Sequence, residues 1–259
     1  MKAHLHIEAK KHGHQTVLGN CFVNTPYKIA NITEDKNAGW LELMLMSASP
    51  GILDGDVFTQ LFDLDENTSL RLHTQAYQRL FTMKQDAQQE MVVNMKTHAR
   101  FSYLPHPVVP HANSNFTAIN NFYLSHHCCL LFGEILTCGR KLNEEVFQFK
   151  KFRNLTQIFL NNQLVIRENL WIEPEKINLA AIGQLEGFTH QASLIYLNEN
   201  CSFEILQPKI DALLQDEPNM EYGVSSTPIP GLLVRMLAQK AEQLHDCMKR
   251  IAAILPQNP

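Results

Sequence analysis

Histidine and cysteine residues stand at spacings that suit metal binding at two places in this sequence. His4 and His6 are separated by one residue, so in a β-strand their imidazoles lie on the same face. His126 and Cys128 have the same spacing, and an imidazole beside a thiolate suits nickel, zinc or copper. A specific site needs three or four converging ligands, and each pair supplies two. Two interpretations stay open: surface histidines with buried cysteines, or a weak transit site for a metal ion.

Carboxylates provide a second source of chemistry. A turn in the Asp-Gly-Asp segment would place the carboxylates of Asp54 and Asp56 near each other, although these residue types are also usual in a solvated loop. Glu134, Arg140 and Glu145 form a second charged cluster in a region that is otherwise apolar and strand-rich. The sequence alone favours a structural salt bridge for that cluster.

Several functional classes lack support in the sequence. It contains no dinucleotide-binding G-x-G-x-x-G, no phosphate-binding P-loop, no G-x-S-x-G nucleophile elbow and no H-E-x-x-H zinc motif. The net charge of −4 and the lack of a dense Lys/Arg run argue against nucleic acid as a partner. No apolar stretch approaches the roughly 20 residues of a membrane-spanning helix. Six scattered cysteines without a C-x-x-C pair favour reduced thiols, so we expect a cytoplasmic protein without a membrane partner.

The first part of the chain, about residues 1–205, predicts a β-rich body. Polar and apolar residues alternate in short runs, among them residues 70–74, 130–136 and 147–150. The pair Asn161-Asn162 predicts a hairpin, because asparagine tolerates positive φ.

A faint repeat also runs through this region. Thr68, Thr97 and His126 each end a polar stretch before an apolar run, and they are 29 residues apart. Regularly stacked β-rungs produce such a period, although coincidence produces it as readily with three dissimilar copies. The repeat favours a mainly β fold built as a layered, β-helix-like stack.

The remaining part, about residues 206–259, predicts a helix, a strand and a second helix within a single domain of residues 1–259. The first helix is expected after Pro208 and ends near Pro218. An apolar strand is expected over residues 232–237.

The final helix has the clearest periodicity in the chain. Leu244 and Met248 belong to an apolar stripe at spacings of three and four residues, and Pro256 ends the helix. One stripe means one buried face, which packs either on the chain's own sheet or in a partner's groove.

A proline-rich segment interrupts the strand pattern. Pro105, Pro107 and Pro110 fix φ and disfavour helix before them, so the segment is stiff and extended. It forms either a rim that partners grip or a rigid connector.

Six short motifs occur in a specific order over about residues 15–255. They are S-P-G-I-L-D-G-D from Ser49, L-H-T-Q-A from Leu72, Y-L-P-H-P-V-V-P from Tyr103, G-E-I-L-T-C-G-R from Gly133, E-V-F-Q-F from Glu145 and G-L-L-V-R-M-L-A from Gly231. This series resembles the family of the urease accessory protein UreD, called UreH in some bacteria. The family usually has Gly-Gly where Ser49-Pro50-Gly51 stands here, Thr at His73 and an aromatic residue at His111.

The resemblance implies a non-catalytic maturation factor. Proteins of this family bind apo-urease and act with UreF, and through UreF with the GTPase UreG, to deliver nickel into urease. It also implies a mostly β, layered fold with a few helices near the C-terminus and a two-fold accessory complex. Nickel is then a transient cargo, and no cofactor is tightly bound.

A water-filled internal passage has been proposed as the nickel route in this family, and a wet path avoids the cost of desolvating a divalent ion. On that basis the candidates for the passage or its mouth are Asp54, Asp56, Glu134, Arg140 and Glu145. The candidates for partner binding are Pro105, Pro107, Pro110, Arg235, Leu244 and Met248. Weaker metal-binding candidates, because they fall outside the matched motifs, are His4, His6, His126 and Cys128.

Two alternatives of other classes remain. A metal-dependent hydrolase on a β-scaffold would use Asp54, Asp56 and some histidines as ligands for a tightly bound metal. A β-rich structural domain with incidental histidines is the third interpretation.

Overall fold

Two stacked β-sheets make up most of the protein in the computed structural model, which describes residues 1–35 and 39–256. The strands are β1 (Lys2–His12), β2 (Gln15–Val23), β3 (Tyr27–Asn31), β4 (Leu41–Ser47), β5 (Val57–Leu64), β6 (Ser69–Thr74), β7 (Gln78–Leu80), β8 (Ala87–Met95), β9 (Arg100–Tyr103), β10 (Val108–Pro110), β11 (Asn115–Leu124), β12 (Cys129–Thr137), β13 (Lys151–Leu160), β14 (Gln163–Ile172), β15 (His190–Asn198), β16 (Met220–Ser226) and β17 (Gly231–Ala238). Two α-helices stand near the C-terminus in the described ranges, α1 (Phe203–Leu214) and α2 (Ala241–Ile254). The predicted mainly β fold is confirmed. Within those same ranges, no helix is both long enough and apolar enough to cross a membrane.

The two sheets are built by a chain that passes repeatedly from one to the other. The first sheet has seven strands in the order β14-β13-β11-β8-β5-β1-β2. The second has ten, following β16-β17-β15-β12-β9-β6-β4-β3, with β10 paired to β12 and β7 paired to β10. The inner strands of both sheets are parallel. In the first sheet β8 pairs in parallel with β5 and β11, and in the second sheet β9 pairs in parallel with β6 and β12. This coil is the layered, β-helix-like stack that the sequence predicts.

Three tight corners carry the chain from the first sheet to the second and stack on one another. Each has a residue with positive φ: Asn67 at 59°, His98 at 60° and His127 at 58°. The Asn67 N–H donates to the Thr97 carbonyl at 3.1 Å. The His98 N–H donates to the His126 carbonyl at 3.2 Å. The three positions of the predicted 29-residue repeat lie in these corners, so the repeat marks real rungs.

Buried apolar side chains form two clusters, one on each face of the second sheet. The larger cluster lies between the sheets and includes Phe62, Phe101 and Phe122. The smaller one lies under the two helices and includes Ile210 and Leu244. Since the second sheet is covered on both faces, its central strand β12 reads as an almost continuous apolar run.

Two segments that alternate like strands are irregular. Residues 147–150 precede β13, where Phe147 has a φ of 53° and Phe149 is fully buried. Their rings pack edge to face, so the alternation reflects a buried connection. The segment of His126 and Cys128 is a turn before β12. The first of these side chains is exposed and the second is buried, so they do not share a face.

The C-terminal region differs from its prediction in two ways. Helix α1 begins ahead of Pro208, because its buried face of Leu206, Ile210 and Leu214 extends across the proline. Strand β16 adds a second strand to the one predicted there. Gly223 inside β16 weakens the strand signal, since glycine is depleted in strands.

Candidate functional site

A cavity with a volume of about 300 Å³ lies between the two sheets. Residues of β8, β11, β13 and β14 line it from the first sheet, and residues of β9, β12, β15 and β17 line it from the second. Most of its wall is apolar, as a sheet interior should be. Asn120, Glu134 and Asn154 introduce amide and carboxylate groups into that wall.

Glu134 on β12 is held by three donors that reach it from the first sheet. Its Oε1 accepts hydrogen bonds from Asn120 Nδ2 at 3.2 Å and from Thr156 Oγ1 at 3.3 Å. A third hydrogen bond comes from Asn154 Nδ2. Burial raises the pKa of Glu134 to about 7, because an apolar environment disfavours the charged form, and the bonds from Asn154 and Thr156 oppose that shift. At neutral pH this carboxyl group can therefore exchange a proton for a cation.

The residue before Glu134 explains why its side chain points into the cavity. A Cβ on Gly133 would lie 2.7 Å from the Leu104 side chain and 3.1 Å from the Met248 sulfur. Gly133 therefore allows the helix layer to approach β12 closely. Because successive side chains of a strand point to opposite faces, Glu134 faces the other sheet.

An ion pair borders the cavity where β14 and β17 approach each other. Arg235 Nη2 donates to Glu168 Oε2, and both residues line the cavity. Arg235 is 62% exposed, so the pair marks an opening to solvent. The charge of Glu168 contributes to the raised pKa of Glu134, so the two carboxylates interact electrostatically across the cavity.

A second cavity of about 560 Å³ adjoins the first and reaches the loop of residues 49–51. The two cavities share four lining residues, which we call the neck: Gln78, Gln89, Tyr103 and His106. Gln78 Nε2 donates to Gln89 Oε1 at 2.8 Å within it. Polar groups thus line the interior from the ion pair of Arg235 and Glu168, through the neck, to the loop of residues 49–51.

Of the five passage candidates, all in described segments, Glu134 alone lines one of these cavities. Asp56 is 2% exposed, and its Oδ2 accepts the Leu53 N–H at 2.8 Å. Asp54 Oδ1 accepts the Gln85 N–H at 2.8 Å. Asp56 closes its own loop and Asp54 joins it to the loop before β8, so a role of either residue at the mouth of a passage stays a prediction.

Arg140 and Glu145 form a bidentate ion pair in the loop after β12. Arg140 Nε donates to Glu145 Oε2 at 2.8 Å, and Nη2 donates to Oε1. Glu145 Oε2 also accepts the Ala112 N–H at 3.2 Å, and the guanidinium lowers the pKa of the Glu145 carboxyl. The arrangement is the structural salt bridge that the residue types favour, and it lies outside both cavities.

The residues predicted to contact partners are mostly inside the molecule. Leu244 and Met248 are fully buried between α2 and the second sheet, so the apolar stripe packs on the chain's own sheet and offers no surface to a partner. Pro107 and Pro110 are also buried, and Pro105 lines the first cavity, which makes this segment a rigid connector. Arg235, described above, is the exposed member of this group.

The four weaker metal candidates form two separate pairs: His4 and His6 share a face of β1, and His126 and Cys128 lie in the turn before β12. His6 Nε2 is 2.7 Å from Asp63 Oδ2, and burial raises the pKa of the Cys128 thiol to about 11. Among the residues that the structure describes, no group of three or more His, Cys, Asp or Glu side chains is arranged to hold a metal ion. In the described part of the chain Asp54 and Asp56 do not form a cluster with histidines, so the ligand set of the alternative hydrolase is not assembled.

Sequence reasoning missed the amides around Glu134 and its charged neighbour Glu168. A signal existed for Asn120, which stands between inward-facing Ala118 and Phe122 on an otherwise regular strand. Asn154 interrupts β13 in the same way. Glu168 gave no such signal, because β14 is an edge strand with many polar residues.

Comparison with known proteins finds relatives along the whole chain. The family described as UreD urease accessory protein matches residues 1–258. A protein named urease accessory protein UreD from Flavobacterium johnsoniae is 43% identical over 240 residues, which cover 92% of this chain and 86% of the relative. A protein of that name from Actinobacillus pleuropneumoniae is 34% identical over 248 residues, 93% of this chain and 92% of its own. Another from Acetivibrio thermocellus is 31% identical over 255 residues, 98% and 97% of the two chains.

Proposed function

This chain belongs to the UreD family of urease accessory proteins, and on that premise we propose that it is a non-catalytic factor that assists nickel insertion into urease. In this proposal it acts in the cytoplasm and binds apo-urease and UreF. It reaches the GTPase UreG through UreF, within a two-fold complex. Nickel is its cargo and binds transiently, and the chain holds no tightly bound cofactor.

The observation that carries the proposal is the space between the sheets, where Glu134, Glu168 and several amides are set into a mainly apolar wall. A divalent ion loses a large hydration energy in a dry core, so a route through a protein needs water and polar ligands along it. The two adjoining cavities provide room for water and place carboxylates along the space, with Glu134 inside and Glu168 at one opening. Carboxylate oxygens replace part of the lost hydration without forming a closed, tight site.

The charged groups of the cavity also suit a cargo that must leave again. Glu134 exchanges a proton for a cation, since its pKa of about 7 keeps both forms populated at neutral pH. Arg235 neutralises Glu168 when no cation is present. A passing cation competes with a proton at one carboxylate and with a guanidinium at the other, so neither site holds it strongly.

The metal-dependent hydrolase is not favoured. It requires Asp54 and Asp56 to share a metal ion with histidines, whereas Asp56 accepts the Leu53 N–H of its own loop and Asp54 accepts the Gln85 N–H of the loop before β8. The described side chains include no three-ligand cluster that would hold a catalytic metal.

The test is co-expression of this chain, with a tag, together with apo-urease, UreF and UreG. We expect the tagged chain to retain UreF and urease, and we expect urease to lack nickel when the chain is omitted. Glu134→Gln keeps the shape and one acceptor oxygen but removes the negative charge, so it should lower the nickel content of urease while the complex stays intact. Glu90→Gln on the exposed face of β8 is the matched control.

Three outcomes separate the parts of the proposal. If urease acquires nickel without this chain, the accessory role proposed here is wrong. If the chain is required but Glu134→Gln loads nickel as the wild type does, the scaffold stands and the internal route is wrong. If Glu134→Gln loses both the partners and the nickel, the residue supports assembly and the internal route is again wrong.

A further inference from the structure

We propose that His106, in the neck between the two cavities, is the residue that selects nickel against hard cations such as Mg²⁺ on the internal route. The inference rests on the proposed function and assigns its metal specificity to one side chain. Among the described residues that line the two cavities there is one imidazole, that of His106, and no thiol. The other side chains in the lining that can coordinate a cation do so through oxygen, apart from the thioethers of Met46, Met91 and Met236, which suit softer ions such as Cu(I).

The His106 ring is held in place from several sides. It stands between Pro105 and Pro107, whose rings restrict the backbone. The His106 N–H donates to Thr74 Oγ1 at 2.8 Å, and Nδ1 lies 2.8 Å from the same oxygen. The ring also packs against Tyr77, with centroids 5.9 Å apart, and against the ring of His245 at 4.8 Å.

This placement leaves Nε2 as the nitrogen for a passing ion. When Nδ1 carries the proton and donates to Thr74, the lone pair of the neutral imidazole is on Nε2. The ring's hydrogen-bond partner in the described part of the chain is Thr74, through its hydroxyl and its backbone. Burial, with the nearby charge of Lys249, lowers the pKa of His106, so the ring is neutral at neutral pH. The pKa of the neighbouring His245 is lowered in the same way, so this pair adds no charge that would repel a cation.

Oxygen ligands alone discriminate less between nickel and hard divalent cations than an imidazole does. Carboxylate, carbonyl and water ligands suit Mg²⁺, Ca²⁺ and Mn²⁺, whereas imidazole suits nickel, zinc and copper. Gln78, Gln89 and Tyr103 offer oxygen atoms at the neck. A nickel ion that exchanges one water for the His106 nitrogen passes the neck at low cost. Mg²⁺ gains little there, because it gives up water reluctantly and prefers oxygen.

The test uses the complex of this chain with UreF, UreG and apo-urease, supplied with nickel and GTP. Mg²⁺ is either kept at the level that the GTPase needs or raised to a millimolar excess over it. The readout is the nickel content of urease against time, measured by mass spectrometry of the metal, which is independent of urease activity. We expect wild-type transfer to be insensitive to the excess of Mg²⁺. His106→Asn and His106→Gln should each slow nickel transfer about tenfold when Mg²⁺ is in excess, the scale on which changes around a metal site reduce affinity.

Matched variants make each result decisive. His73→Asn removes an imidazole that lies outside both cavities, so it should behave as the wild type. If both His106 variants load nickel normally in excess Mg²⁺ while Glu134→Gln is impaired, the route stands and the selectivity proposal is wrong. If they are slowed equally at both Mg²⁺ levels, His106 supports structure or passage and selects nothing, which also overturns the proposal. If Glu134→Gln and both His106 variants all load nickel normally, the internal route itself fails.

Discussion

Strand β12 contributes side chains to both faces of the second sheet, and the two faces differ in how they are packed. On β12, Leu131 and Ile135 point toward the helices, while Phe132 and Glu134 point toward the first sheet. The helix face is closed and apolar, and Gly133 even removes a side chain so that α2 can approach. The other face leaves a cavity around a carboxylate that burial disfavours. The helix face is therefore packed throughout, whereas the face toward the first sheet combines the larger apolar cluster with the cavity of the proposed function.

The largest effect is expected on the helix face. Leu244→Ala should lower the free energy of unfolding by about 2–5 kcal/mol, because Leu244 is fully buried and its removal leaves a cavity. Urea denaturation followed by circular dichroism measures the change. Ile254→Ala in the same helix is the control, since Ile254 is 36% exposed and should cost under about 1 kcal/mol. Equal losses for the two variants would contradict a dry, closed layer.

The next effect, of opposite sign, is expected on the cavity face. In the metal-free protein the pKa of Glu134 is about 7 in the folded state and near 4.5 when unfolded. Between these values the folded state binds a proton that the unfolded state has lost, so wild-type stability falls as pH rises. Glu134→Gln does not titrate and should be more stable than the wild type by about 3 kcal/mol above pH 7, at 1.36 kcal/mol per pKa unit.

Denaturation of both proteins across a pH series tests this expectation. The advantage of Glu134→Gln should shrink toward zero as the pH falls below about 4.5, since both states of the wild type are then protonated. A difference that stays constant with pH would show that the carboxyl group carries no burial penalty. A variant less stable than the wild type at pH 8 would show that the bonds to Glu134 outweigh that penalty.

The sequence predicted the path of the chain better than the contents of the cavity. Local patterns were sufficient for the hairpin at Asn161 and Asn162, whose φ values are 49° and 65°, and for the corner repeat. Glu134 meets Asn120 and Asn154 because β11 and β13 pair in parallel, with Asn120 opposite Thr156 and Ala118 opposite Asn154. Alternation assigns each residue to a face, but it does not state which strands become neighbours or in what register. The set of residues that meet in the cavity could therefore be identified only from the structure.

Strand β12 is a second example of what the sequence pattern leaves undetermined. Its apolar run predicts a buried strand, and both faces contribute apolar residues to it. Which face carries Glu134 follows from the neighbours of Gly133, namely Leu104 and Met248, and these contacts are long-range. Likewise, the apolar stripe of α2 predicts a buried face but not the surface that covers it. In the structure that surface is the second sheet.

A smaller effect is expected for the amides that hold Glu134. Asn154 Nδ2 donates to Glu134, and Asn154 Oδ1 accepts from Asn120 Nδ2 at 2.8 Å. Asn154→Ala should cost about 1–2 kcal/mol, the scale for leaving buried polar groups without partners. It should also raise the pKa of Glu134 further, because the lost hydrogen bond lowers that pKa. A carbon-13 NMR titration of the Glu134 carboxyl measures this, with outward-facing Asn121→Ala as the unchanged control. A lower pKa in Asn154→Ala would contradict the assigned role of the amide.

The smallest effect is expected at the opening of the cavity. Arg235→Gln breaks the ion pair with Glu168, yet it should cost at most about 1 kcal/mol, because exposed pairs are solvated and screened. The cost should decrease further at high ionic strength, which urea denaturation at two salt concentrations measures. Lys176→Gln, which breaks another surface pair with Glu173, should behave alike. A loss of several kcal/mol for Arg235→Gln would mean that this pair clamps the two sheets together. A small loss fits an opening whose charged pair a cation can part without unfolding the layers behind it.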